Sequence, residues 1–151
     1  MSKPTLSASN LTLLASMDQL SHTMYLLWRN ELTQYGVHVR QSQILRVLQD
    51  LGPNATISEV AKIIRRKVEV ISRQTISMEK DGLLKRTKSK PKSNLLKLEL
   101  TEKGLEMANI SRKSDSIDKV FLSISKEERR QMESILGKLI IKAKKHTYIL
   151  D

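Results

Sequence analysis

Residues 56–100 read TISEVAKIIRRKVEVISRQTISMEKDGLLKRTKSKPKSNLLKLEL, and this stretch decides the fold. Thr56-x-x-Glu59 is a capping box, in which the threonine hydroxyl accepts from an early backbone N–H and the glutamate reaches back to the cap. It predicts a short helix with Val60, Ala61 and Ile64 on its inner face. After Arg65-Arg66-Lys67, the residues Val68, Ile71, Thr75 and Met78 recur in steps of three, four and three. That spacing predicts a second helix over 68–81 with those four side chains inward, stopped by Gly82 in a left-handed turn. Two strands are expected next, Leu83–Thr87 and Leu95–Leu100, the second alternating Leu96, Leu98 and Leu100 with Lys97 and Glu99. The tip between them, KSKPKSN at 88–94, holds three lysines and no acid. Helix, tight connection, helix and paired strands make a winged helix-turn-helix.

Working outward, Gln41–Leu51 reads as a helix with Ile44, Leu45, Leu48 and Leu51 inward, ended by Gly52-Pro53. Asn10 to about Tyr35 reads as one long helix, with Leu13, Met17, Leu20, Met24 and Leu27 in steps of four, three, four and three. At 1.5 Å per residue it would span about 35–40 Å, too long for one small domain to cover. Thr101 caps a predicted fifth helix over 102–122, interrupted by a polar gap at Ser111–Ser116. Ser125-x-x-Glu128 is a second capping box, opening a sixth helix with Met132, Ile135, Leu136, Leu139, Ala143 and Leu150 on one side. The expected architecture is mainly α with a small β-hairpin wing, in a single domain over 1–151. The winged helix-turn-helix region is placed at 37–104, with helical dimerisation regions at 10–36 and 105–151. The end helices carry more apolar surface than the middle can bury, so a homodimer is expected; an ordinary single-chain bundle is the alternative.

Composition narrows the function. Of 151 residues, 39% are hydrophobic and 3% aromatic, so the core must be built from Leu, Ile, Val and Met. Five glycines and three prolines argue against an all-β sandwich. The absence of cysteine excludes disulfides, thiolate metal sites and thiol catalysis. No apolar run approaches the roughly 20 residues of a membrane span, and MSKPTLSASN lacks a signal-peptide pattern. A cytoplasmic protein with no membrane association is expected. There is no glycine-rich phosphate loop, no H-E-x-x-H and no nucleophile elbow. The three histidines have no metal-ligand spacing. No catalytic residue, metal or cofactor is therefore expected, and the chain does not read as an enzyme.

Charge supplies the positive argument. The net charge is +11, and residues 62–97 contain twelve Lys/Arg against three Asp/Glu, which is +9. The excess therefore coincides with the winged helix, where double-stranded DNA is the natural polyanion. On the outward face of the 68–81 helix, Glu69, Val70, Ser72, Arg73 and Ile76 are the candidates to read base edges, with Arg73 suited to fork onto guanine. Lys62, Arg65, Arg66, Lys67, Arg86, Lys88, Lys90 and Lys92 are the candidates for phosphate or wing contacts. A nucleoid-type architectural protein and a winged-helix protein-interaction module are the rival readings.

The middle of the chain resembles the multiple antibiotic resistance regulator (MarR) family. The resemblance rests on Val60-Ala61, Ile71-Ser72-Arg73, Met78-Glu79-Lys80-Asp81-Gly82-Leu83-Leu84-x-Arg86 and Leu98-x-Leu100-Thr101-x-x-Gly104, in that order. The fifteen-residue separation of Arg86 and Thr101 and the six-helix order fit it as well. It implies a homodimeric transcriptional regulator, by default a repressor, binding a near-palindromic operator. It also implies release by a small, often aromatic or anionic, effector held between the dimerisation and DNA-binding regions. His22, Trp28, Tyr35 and His38 could line such a site, with packing or surface roles as the alternative. Four positions depart from the family pattern: Arg65 stands where glycine is usual, Lys92 and Asn94 replace the wing's Asp-x-Arg, and Glu69 replaces a small hydroxyl residue.

Overall fold

Caps set most of the element boundaries. In the computed structural model, which describes residues 9–147, Ser9 accepts from the backbone N–H of Thr12 and opens α1, Asn10–Thr33. α2 spans Val39–Leu51. Thr56 and Glu59 close the capping box that starts α3, Ile57–Ile64. α4 spans Val68–Lys80. The strands are β1 (Ala55–Thr56), β2 (Leu84–Lys88) and β3 (Leu96–Leu100). Thr101 caps α5, Glu102–Ile110. These elements belong to one compact unit that ends at Ser114; α6 (Asp115–Phe121) and α7 (Lys126–Thr147) belong to a second that starts at Asp115.

In the first unit, Ile44, Leu45 and Leu48 of α2, Val60 of α3, Ile71 and Met78 of α4, Leu84 and Leu98 of the sheet and Ala108 of α5 share one buried core. Each fully buried Leu, Ile, Val or Met side chain of this core contributes about 1.5–3 kcal/mol. The sheet is antiparallel in the order β1-β3-β2, with Leu84 opposite Leu100 and Arg86 opposite Leu98. The β1 strand was not expected: two residues are too few to show alternation, and only the pairing of Ala55 with Leu98 creates it. The expected strands start one residue early. The long first helix ends at Thr33 rather than near Tyr35, its last turn passing into the left-handed Gly36.

Much of the family-like motif is internal bracing. Thr101 donates from its hydroxyl to the Gly82 carbonyl (2.6 Å) and accepts from the Gly104 N–H (3.0 Å), while its own N–H donates to the Leu83 carbonyl (3.1 Å). Gly104 must be glycine, because an added Cβ would lie 1.8 Å from the Leu83 carbonyl oxygen. The Glu79 carboxylate accepts from the Arg86 N–H (2.8 Å), and Asp81 accepts from the Gln41 amide (3.0 Å). These bonds anchor the wing's base to α4 and α2.

The continuous fifth helix expected over 102–122 is instead two helices. Across Ser111–Ser114 no large apolar residue anchors the backbone. Arg112 and Lys113 donate to the carbonyls of Asn109 and Ile110, closing tight turns rather than α-helical ones. The described chain therefore has seven helices where six were expected. In the second unit, Ser125 and Glu128 cap each other reciprocally (2.7 and 3.1 Å), as their spacing predicts. No residue of α6 or α7 is buried. Leu150, assigned to the apolar side of the last helix, lies outside the described residues, as does the segment 1–8.

Candidate nucleic-acid interface

The helix α4 has two unlike sides. Ile71, Thr75 and Met78 are buried against the core, and the Thr75 hydroxyl is satisfied by the Ser72 carbonyl (2.9 Å). Glu69, Arg73, Ile76 and Ser77 are exposed, with Ser72 half-buried on one flank and Val70 on the other. Val68, expected inward, is 44% exposed, because the helix begins there and its first turn projects beyond the core. Glu69 sits in the first turn, where a negative charge suits the helix dipole. Although Glu69 and Arg73 are one turn apart, they form no ion pair with each other, unlike Arg129 with Glu133 and Arg130 with Glu127 on α7. A helix about 10–12 Å across fits a major groove about 12 Å wide. The exposed side of α4 then offers a guanidinium fork for guanine, a carboxylate acceptor for an exocyclic amine and the apolar tip of Ile76 for a thymine methyl.

Cations surround this side. Lys62 occupies the last turn of α3, and Arg65, Arg66 and Lys67 form the exposed connection to α4. Arg65 has φ 59° and ψ 51°, so it takes the left-handed conformation for which the resemblance expects glycine. The turn geometry is thus retained with a charged residue, at a backbone cost of about 1–2 kcal/mol. Lys88, Lys90 and Lys92 are exposed at and beside the hairpin tip. The tip is held by Ser89 and Ser93: the Ser89 N–H donates to the Leu95 carbonyl (3.1 Å), and the Leu95 N–H donates to the Ser93 hydroxyl (3.0 Å). Arg86 is different from these lysines. It shares the inner side of the sheet with Leu98, is half-buried, and leaves its Nε without a hydrogen-bond partner.

Two hollows flank the site. One, of 250 Å³, lies between α2 and α4 and is lined by Arg40, Gln43, Ile44, Ile64, Arg66, Val70 and Gln74. Arg40, Gln43 and Gln74 escaped the sequence reading, since Arg40 is far from the 62–97 charge run and only the fold sets it beside α4. The other, of 410 Å³, is bounded by Tyr35, His38, Gln41, Leu45, Asp81, Lys103 and Met107, among others. Of the four residues named for an effector site, Tyr35 and His38 line this hollow. Trp28 is a packing residue: its indole N–H donates to the Lys113 carbonyl (3.1 Å), and the Arg46 guanidinium lies 4.7 Å from its ring centre. Burial, with the nearby Arg112 charge second, lowers the Arg46 pKa. His22 is exposed on α1.

A helix-turn-helix whose second helix shows a free polar side, followed by a basic hairpin, defines the winged-helix class. Solved structures narrow the architecture further. The chain is similar to the organohalide-sensing RdhR transcriptional regulator in its 2,4-dichlorophenol-bound form, at 23% identity and TM-score 0.77 over 92% of this chain and 88% of that one. It is similar to S. aureus MepR in a DNA complex, at 23% identity and TM-score 0.74 over 90% and 99%. It is also similar to a MarR variant from E. coli complexed with operator DNA, at 14% identity and TM-score 0.73 over 87% and 99%. The fold is therefore that of the MarR-type winged-helix regulators. No protein-family model matches the chain, and no curated protein sequence matches it. Among the described residues, no helix is long and apolar enough to cross a membrane, and no group of three or more His, Asp or Glu residues is placed to hold a metal ion.

Proposed function

We propose that this protein is a sequence-specific, double-stranded-DNA-binding transcriptional repressor that binds a near-palindromic operator as a homodimer. The observation that carries the reading is the uncovered side of α4, where Arg73 and Glu69 stand unpaired among the exposed cations of the α3–α4 turn and the hairpin. Base-edge contacts through Arg73 and Glu69 supply selectivity, and Lys62, Arg65, Arg66, Lys67, Lys88, Lys90 and Lys92 supply charge. The dimer follows from exposed apolar side chains on the end helices, which a second copy would cover. A small effector, by analogy with the dichlorophenol held by RdhR, would occupy the 410 Å³ hollow. His38 and Lys103 there suit a phenolate or carboxylate, and Leu45 and Met107 suit a ring. Its binding would change the spacing of the two α4 helices by a population shift.

Footprinting on the DNA flanking the protein's own coding region tests this. Protection of a near-palindrome is expected, with a preference of about a thousandfold or more over random duplex. Arg73→Ala should weaken the specific site by about 1–3 kcal/mol. Even coating of any duplex would instead support the architectural reading.

A further inference from the structure

We propose that the cleft between α2 and α4 is a phosphate seat, in which Arg40, Gln43, Arg66 and Gln74 grip a phosphodiester of the duplex backbone beside the recognition helix. This rests on the reading of α4 as the helix that enters the major groove. Four polar side chains converge from separate parts of the fold: Arg40 and Gln43 from α2, Arg66 from the turn and Gln74 from α4. Ile44, Ile64 and Val70 complete the lining, and none of the lining residues is acidic. Among the described residues, neither guanidinium is in an ion pair and neither glutamine side chain is hydrogen-bonded. The cleft thus presents two cations and two amides with their hydrogen-bonding capacity unused.

Two physical arguments make the occupant an anion on the DNA. First, α2 begins badly for an isolated helix. Its cap, His38, makes no side-chain cap bond, and its first turn has no acid and includes Arg40. A cation at the positive end of a helix dipole is unfavourable until a negative group arrives between them. Second, Val70 and Gln74 each follow an exposed residue, Glu69 and Arg73, by one position. They therefore point about 100° around α4 from the groove-facing side. A helix lying in the major groove has a phosphate strand along each flank, so the cleft opens where one strand must pass. Guanidinium groups fork onto phosphate oxygens, and amides donate to them singly. Such a contact carries no base preference and fixes how deeply and at what angle α4 sits.

The test is a salt titration of duplex affinity for the full-length protein, on an operator and on a random duplex, for wild type, Arg40→Gln, Arg40→Lys and Arg40→Gln/Arg66→Gln. Arg40→Gln should weaken both duplexes by a similar factor and lower the log–log salt slope by about 0.9, and the double variant by nearly twice that. The operator-to-random ratio should stay constant, and Arg40→Lys should keep the slope. Should Arg40→Gln fail to fold, Gln74→Ala reads the same seat, weakening both duplexes alike with the slope unchanged. Unchanged affinity and slope in folded variants would overturn the seat, as would a collapse of the ratio at constant slope, which marks a base contact. Calorimetric titration with inorganic phosphate separates the other source of the same chemistry. Submillimolar binding lost in Arg40→Gln, with DNA slopes unmoved, would assign the cleft to a free anion and overturn the proposal. If wild type binds no duplex at low salt, the DNA reading falls with it; the other failures remove the seat alone.

Discussion

The winged-helix core and the end helices treat their apolar residues in opposite ways. In α2, α3 and α4 the periodic aliphatics are buried, with Leu45, Val60 and Ile71 at 0% exposure; Leu51 and Val68, both expected inward, are the exceptions, because each lies at a helix end that projects beyond the core. In α1 and α7 comparable stripes face outward, with Leu13 at 52%, Leu20 at 45%, Ile135 at 56% and Leu139 at 50%. The sequence periodicity is equally regular in both regions, so amphipathicity alone does not say what covers a helix. In the core, each inward stripe meets a neighbour within the same chain. In the end helices the exposed leucines and isoleucines recur at helical spacing, and under the reading proposed above a second copy covers them. One region is thus complete by itself, and the other is complete only with a second copy under the reading proposed above.

The strongest way to break this contrast is at the core's tightest contact. Gly104→Ala would drive a methyl group into the Leu83 carbonyl, which is backbone and cannot swing aside. The same movement would disturb the Thr101 bonds to Gly82 and Leu83. We expect a loss of about 3 kcal/mol, at the upper end for overpacked sites, measured by urea unfolding. The wing should detach in the same transition, because its base hangs on those bonds.

A smaller effect is expected in the other region, and of a different kind. Leu139→Asp alters an exposed side chain of α7, so the stability of the isolated chain should hardly change. In a dimer this half-exposed side chain would be buried on both copies, at about 1 kcal/mol of transfer energy each and about 2 kcal/mol for the pair. The dimer dissociation constant should therefore rise by about thirtyfold, read by sedimentation equilibrium. Operator affinity should fall with it, since two linked half-sites act together. A variant that sediments like wild type would leave the α7 stripe without its proposed cover.

What was legible in the chain follows the same division. Both capping boxes, the α4 periodicity and the wing's strands could be read because each rests on residues close in sequence. Arg86 shows the limit of local reading: as a basic residue next to the hairpin it reads like the lysines proposed for DNA, yet it alternates inward with Leu84 and faces Leu98. The break between α5 and α6 was visible only as a polar gap, because an interruption in an apolar stripe does not say whether the backbone continues. The strand β1 and the Arg40 cleft were beyond sequence reach, since both exist only through partners about thirty to forty residues away.

The finest distinction lies at Arg65, where the self-sufficient core carries strain in a residue assigned to DNA. Its φ of 59° caps α3 in a conformation that glycine adopts freely. Arg65→Gly removes a cost of about 1–2 kcal/mol, against about 0.5–1 kcal/mol for the extra freedom of glycine in the unfolded chain. The net expectation is a gain of about 0.5 kcal/mol in urea unfolding. If the guanidinium neutralises a phosphate, the same variant should lose about 0.9 from the salt slope of duplex binding. Stability and affinity should thus move in opposite directions from one substitution. A gain in stability with an unchanged salt slope would leave Arg65 with no role on the DNA, and a loss in stability would mean that the long side chain, rather than the turn alone, supports the α3–α4 connection.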